Sequence, residues 1–155
     1  MSLNIGVVMD PIAQIKPWKD TTLAMLLEAQ RRGWTLHYME PADLYVRDGR
    51  VFAVTSDLTV RDDNQDWFTL GEPAPRDLTG MDMILMRQDP PFDAAYLYAT
   101  YLLEKVEREG VLVANRPASV RDSNEKLFAT DFPQCCVPTL VRPRRPAAGV
   151  CKGAG

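Results

Sequence analysis

Three short polar segments hold most of the chemistry this sequence could perform. They are Asp10-Pro11-Ile12, Arg87-Gln88-Asp89-Pro90-Pro91-Phe92-Asp93 and Asn115-Arg116-Pro117, and each follows an apolar, β-branched run. In open parallel sheets ligands bind beyond the carboxyl ends of the strands, so loops of this kind share the edge where a site forms. Arg87 carries a planar fork that could hold a carboxylate or phosphate through two parallel hydrogen bonds. A local ion pair with Asp89 or Asp93 is the alternative, and local sequence favours it. Asp10 and Asp89 are candidate cleft-lining residues. Together with Asp93 they could suggest a magnesium site, but proline-flanked aspartates are ordinary turn and cap residues, and the turn reading is preferred. Lys126, within Asn124-Glu125-Lys126-Leu127-Phe128, could meet a nucleotide phosphate as a point charge, although most surface lysines do not.

Other chemistries find little support. The first strand runs into Asp10-Pro11 rather than a G-x-G-x-x-G turn, so a nicotinamide or flavin pyrophosphate has no glycine-lined approach. The single His37 lies between Leu36 and Tyr38 on a strand and reads as solvent-facing or structural; no serine or cysteine sits in a nucleophile elbow. No catalytic residue and no metal ligand is therefore assigned. The formal charge of −3 comes from interleaved acidic and basic residues, which gives no basic face for nucleic acid. Apolar stretches such as Met83 to Met86 are far too short to cross a membrane, and the start lacks an export signal, so a cytoplasmic protein is expected. Cys135, Cys136 and Cys151 lie late, with two adjacent, and read as free thiols.

The elements that position these loops follow from periodicity. Leu3 to Met9 predicts a buried first strand, and from Asp20 the leucines 23, 26 and 27 recur at helical spacing, with Asp20 as cap and Gly33 as stop. Trp34 to Met39 returns to strand, completing a right-handed β-α-β unit with parallel strands. Arg47-Asp48-Gly49-Arg50 predicts a hairpin turn inside an antiparallel insertion from Asp43 to Leu70. Glu72-Pro73-Ala74-Pro75 reads as a linker. Met83 to Met86 and Val111 to Asn115 predict two more buried strands, separated by a helix that Asp93 caps and Gly110 stops, with Tyr96, Ala99, Leu103 and Val106 on one face. The sum is an α/β protein: a small, mostly parallel sheet with helices on both faces, in three layers, plus an antiparallel hairpin insertion.

Longer motifs carry a resemblance. Gly6-Val7-Val8-Met9-Asp10-Pro11-Ile12, Ala24 to Gly33, His37-Tyr38-Met39-Glu40, Ile84 to Asp93, Tyr98 to Glu104 and Ser119 to Phe128 resemble, in order, the opening of bacterial glutathione synthetase. The resemblance runs from about Leu3 to about Arg142. It implies a Rossmann-like, pre-ATP-grasp substrate-binding domain over 1–122, the start of an ATP-grasp region over 123–142, and a tail over 143–155 outside the family pattern, expected to be poorly ordered. In that family ATP phosphorylates the carboxylate of γ-glutamylcysteine and the amine of glycine displaces phosphate, giving glutathione. Magnesium and positioned cations stabilise the moving charge. By resemblance Lys126 matches a lysine that contacts ATP and Arg87 an arginine facing the peptide substrate. The full-length family is expected to use ATP and Mg2+ and to form homo-oligomers. The family's glycine-rich loop, further lysines and late magnesium ligands have no counterpart here, so this chain is expected to be an N-terminal fragment that is inactive alone and holds neither cofactor stably. Two alternatives stand beside it: a non-catalytic peptide-binding or oligomerisation module, and the first domain of a different ATP-grasp amino acid ligase.

Overall fold

A computed structural model describes residues 2–89 and 91–135. The 143–155 tail and Cys136 and Cys151 lie outside the described residues. The chain separates into two compact units, Met1–Asp122 and Ser123–Gly155, and each is described by itself.

The first unit is built on a sheet whose centre is parallel. Strand β1 (Asn4–Met9) is buried from Ile5 onward. It pairs in parallel with β2 (Thr35–Met39) on one side and with β7 (Met83–Arg87) on the other, and β7 pairs in parallel with β8 (Leu112–Ala114). A central strand with neighbours on both edges and helices on both faces has no solvent side, which is why its sequence is a continuous apolar run rather than an alternation. Gly6 sits where nothing larger fits: a Cβ there would lie 3.0 Å from Met39 Cε and 3.3 Å from Ile84 Cγ1.

Helix α1 (Thr21–Arg31) joins β1 to β2, and helix α2 (Ala94–Arg108) joins β7 to β8. Both begin as expected: the Asp20 carboxylate accepts from Leu23 N at 2.7 Å and the Asp93 carboxylate from Tyr96 N at 2.9 Å, each satisfying one amide that the first turn leaves without a helical partner. The helices cover opposite faces. Leu23, Leu26 and Ala29 of α1 pack with Ile5, Val7, Met9 and Leu36. Tyr96, Ala99, Leu103 and Val106 of α2 pack with Val8, Ile84, Met86 and Val113. Strand residues one apart therefore belong to different clusters, as the two-residue pleat requires. This gives the three layers expected.

The antiparallel part is more extensive than a hairpin. Strands β3 (Leu44–Arg47) and β4 (Arg50–Val60) are joined by Asp48-Gly49, both at positive φ (51° and 79°), the backbone signature of a type I′ two-residue turn. β4 is 11 residues long, and its far half pairs with β2, which welds the insertion to the parallel centre. It also pairs with β5 (Phe68–Leu70) and β6 (Ala74–Asp77). The expected linker at Glu72-Pro73-Ala74-Pro75 is thus partly strand. Pro75 is opposite Val54 in a strand that pairs only with β4, so a residue without an N–H is tolerated at that edge. The path through the sheet is β3-β4-β2-β1-β7-β8. Helix α3 (Pro117–Asp122) closes the unit.

The second unit contains the short helix α4 (Glu125–Phe128), whose Leu127 amide donates to Asn124 Oδ1 at 3.2 Å, and two single 3-10 turns. Phe128 and Phe132 meet edge to face with centroids 5.5 Å apart. Cys135 is a free, exposed thiol. Among the described residues no helix is long and apolar enough to cross a membrane.

Candidate functional site

The order of strands fixes where a ligand can enter. From β1 the chain crosses to β2 on one side, and from β7 it crosses to β8 on the other, so the loops leaving β1 and β7 diverge from adjacent strand ends. This is the switch point at which open α/β sheets form crevices. Met9 and Arg87 are partners in the parallel ladder, which puts Asp10 and Arg87 side by side at the mouth. A cleft of about 530 Å³ opens there, lined by the loop from Asp10 to Asp20, by Thr21 and Thr22 at the start of α1, and by Arg87 and Asp89.

The loop walls are anchored. Tyr38 of β2, buried at 7% exposure, accepts from Ile12 N at 3.2 Å and donates to Glu40 Oε1 at 2.8 Å. Burial, reinforced by Glu40, holds its phenol well above the ordinary range, so it stays protonated. Trp67, next to β5, donates its indole N–H to Ile12 O at 3.0 Å. Both polar groups of the buried Ile12 backbone are thereby satisfied from other elements. Asp10 Oδ2 accepts from Asp89 N at 2.9 Å, tying the two strand-end loops together.

Arg87 forms neither of the ion pairs that local sequence favoured. Its Nε donates to Thr22 Oγ1 and its Nη2 to Thr21 Oγ1, both at 3.0 Å. Among the described residues no carboxylate forms an ion pair with Arg87, Lys16 or Lys19, all of which line the cleft. Asp10 and Asp20 use an oxygen each on backbone amides. The mouth therefore presents Arg87, Lys16 and Lys19 beside the partially positive amino end of α1, together with the carboxylates of Asp10, Asp20 and Asp89, an arrangement suited to a ligand that carries both anionic and cationic groups.

The structure brings Arg87, Asp10 and Asp89 to one cleft. Lys126 belongs to the second unit and its side chain lies outside the described residues. Asp93 is the cap of α2. Lys16 and Lys19 were not singled out from sequence; their signal was position, since both follow the first strand's Asp-Pro within one loop. His37 is 5% exposed and structural: its Nδ1 meets Asp57 Oδ1 at 2.9 Å, and Arg76 binds the same oxygen at 2.8 Å. Burial first, and the Arg76 charge second, lower its pKa against the opposing pull of Asp57. Among the described residues no group of three or more His, Cys, Asp or Glu side chains that could hold a metal ion occurs.

Comparison with known proteins gives the family. Residues 3–121 match the family model for the prokaryotic glutathione synthetase N-terminal domain. The glutathione synthetase of Pseudomonas putida is 58% identical over 146 residues, which is 94% of this chain and 46% of the relative. That of Yersinia pestis is 54% identical over 139 residues, 90% of this chain and 44% of the relative. That of Coxiella burnetii is 49% identical over 145 residues, 94% and 45%. The chain spans somewhat under half the length of these relatives. On the match over residues 3–121 and these identities, the chain belongs to the prokaryotic glutathione synthetase family and corresponds to its N-terminal part.

Proposed function

We propose that this chain provides the dipeptide-facing wall of an ATP-dependent carbon–nitrogen ligase that joins γ-glutamylcysteine to glycine. The observation that carries the reading is the cluster of Arg87, Lys16 and Lys19 at the switch-point cleft, with no carboxylate paired to any of them among the described residues. γ-Glutamylcysteine carries two carboxylates and one ammonium. The Arg87 fork takes one carboxylate, the lysine ammoniums attract the other, and the exposed Asp89 carboxylate is available to the ammonium. The chain's own contribution is thus binding and orientation: a carboxylate fixed at Arg87 sets where the reacting carboxyl lies, and orientation of this kind is a large part of the barrier in group transfer. ATP supplies the phosphoryl group that activates that carboxyl, and Lys126 is the residue proposed to meet its phosphates. Residues 123–142 are proposed as the start of the ATP-grasp region. The same reading implies a cytoplasmic, homo-oligomeric full-length enzyme.

Calorimetric titration of γ-glutamylcysteine into the chain tests the binding role. Saturable binding that weakens steeply with added salt is expected; binding that is insensitive to salt, or absent, counts against it. The chain alone is expected to show no glycine-dependent phosphate release with ATP and magnesium. Turnover in that assay would assign catalysis to residues already present.

A further inference from the structure

A guanidinium has two edges that can each bind a carboxylate bidentately: the side edge, made of Nε–H and one Nη2–H, and the end edge, made of one hydrogen from each Nη. In Arg87 the side edge is fully occupied, by Thr22 Oγ1 on Nε and Thr21 Oγ1 on Nη2. Among the described residues nothing engages Nη1. Thr22 is 4% exposed, and it is fixed by the first turn of α1, which Asp20 caps. The donors that hold the arginine therefore end on neutral hydroxyls at a rigid helix start, and the guanidinium keeps its full charge.

We infer that Thr21 and Thr22 are positioning residues that lock the side edge of Arg87 and thereby present its end edge to a substrate carboxylate. This deepens the proposed function and rests on it. An arginine free to rotate would lose side-chain entropy on binding; one already tethered at two nitrogens has lost it on folding. The tether also sets specificity. An anion that offers two oxygens side by side, a carboxylate or a phosphate, matches the parallel hydrogen atoms of the free edge, and a lysine at 87, with three donors on one nitrogen, could not hold both threonines and two ligand oxygens together.

Thr22→Val removes the hydroxyl while keeping shape and burial, and Thr22→Ser keeps the hydroxyl, so the pair separates hydrogen bonding from packing. The Arg87 Nε–H resonance of the chain, assigned by its loss in Arg87→Lys, reports the tether without any ligand. It is expected to exchange slowly with water in the native chain and in Thr22→Ser, and about fivefold faster or more in Thr22→Val. In titrations, γ-glutamylcysteine is expected to bind about tenfold more weakly to Thr22→Val and within about twofold of native to Thr22→Ser. Equal loss in Thr22→Ser and Thr22→Val, or no loss in Thr22→Val while Arg87→Lys abolishes binding, overturns the positioning role and leaves the proposed function standing. Binding that is unchanged in Arg87→Lys overturns both.

Discussion

Two arginines in this fold are tethered by the same pair of atoms and differ in what the tether leaves behind. Arg76, on β6, donates Nε to Thr55 Oγ1 at 3.0 Å and Nη2 to Asp57 Oδ1 at 2.8 Å. Arg87, at the end of β7, donates the corresponding nitrogens to Thr22 and Thr21. The first ends on a carboxylate that also meets His37, and its charge is matched inside the β2-β4-β6 junction. The second ends on two hydroxyls beside a cleft that holds two further lysines. The difference separates an arginine that holds strands together from one that is oriented and left charged for something else. Geometry alone does not make the distinction; the nature of the acceptor does.

The comparison is broken most directly by truncation at each position. Arg87→Ala should weaken γ-glutamylcysteine binding about a hundredfold, close to 3 kcal/mol, and lower the unfolding free energy by about 1 kcal/mol, since the buried Thr22 hydroxyl loses its donor. Arg76→Ala should touch stability alone. It strips the buried Thr55 hydroxyl of its donor and leaves Asp57 with His37, so a loss of about 1 kcal/mol in unfolding free energy is expected, with dipeptide affinity unchanged. Were Arg76→Ala to impair binding as much as Arg87→Ala, the division between the two arginines would fail.

Tyr38→Phe sharpens the picture by acting between them. It deprives Ile12 N of its acceptor in a buried setting, and about 1 kcal/mol of stability should be lost, with a few-fold drop in dipeptide affinity as the loop from Asp10 to Asp20 loosens. Denaturation and titration on the same sample would register both. The smallest effect is on pH. His37 titrates below its ordinary 6.5 in the folded chain, so the unfolded chain binds the proton more readily. Stability is then fully present above about pH 6.5 and declines as pH falls through the folded-state value. Urea unfolding at about pH 7.5 and about pH 5.5 should show this loss in the native chain and a reduced one in His37→Gln.

Much of this could be read in the sequence because it is local. The caps Asp20 and Asp93 announce their helices, Asp48-Gly49 announces its turn, and the apolar runs at Ile5–Met9 and Met83–Met86 announce strands covered on both faces. What was not legible depends on the strand order. Arg87 finds Thr21 and Thr22 some 65 positions earlier only because β7 lies beside β1, and local reasoning pointed instead to Asp89 and Asp93. His37 is buried because β4 covers it from 20 positions away. The two prolines at 73 and 75 looked like a linker, since nothing local shows that β4 is long enough to carry an extra edge strand. The candidate site divides the same way: Arg87, Asp10 and Asp89 stood out by their place after strands, whereas Lys16 and Lys19 became relevant only once the loop holding them was folded over the crevice.

The indole of Trp67 reaches from the antiparallel region to a carbonyl of the cleft loop. Its fluorescence is accordingly an intrinsic gauge of that loop's seating: any event that lifts Ile12 away breaks the bond and alters the solvent around the ring. Trp18, 67% exposed within the same loop, and Trp34 emit as well, so the contribution of Trp67 is the part of any ligand-induced change that Trp67→Phe removes.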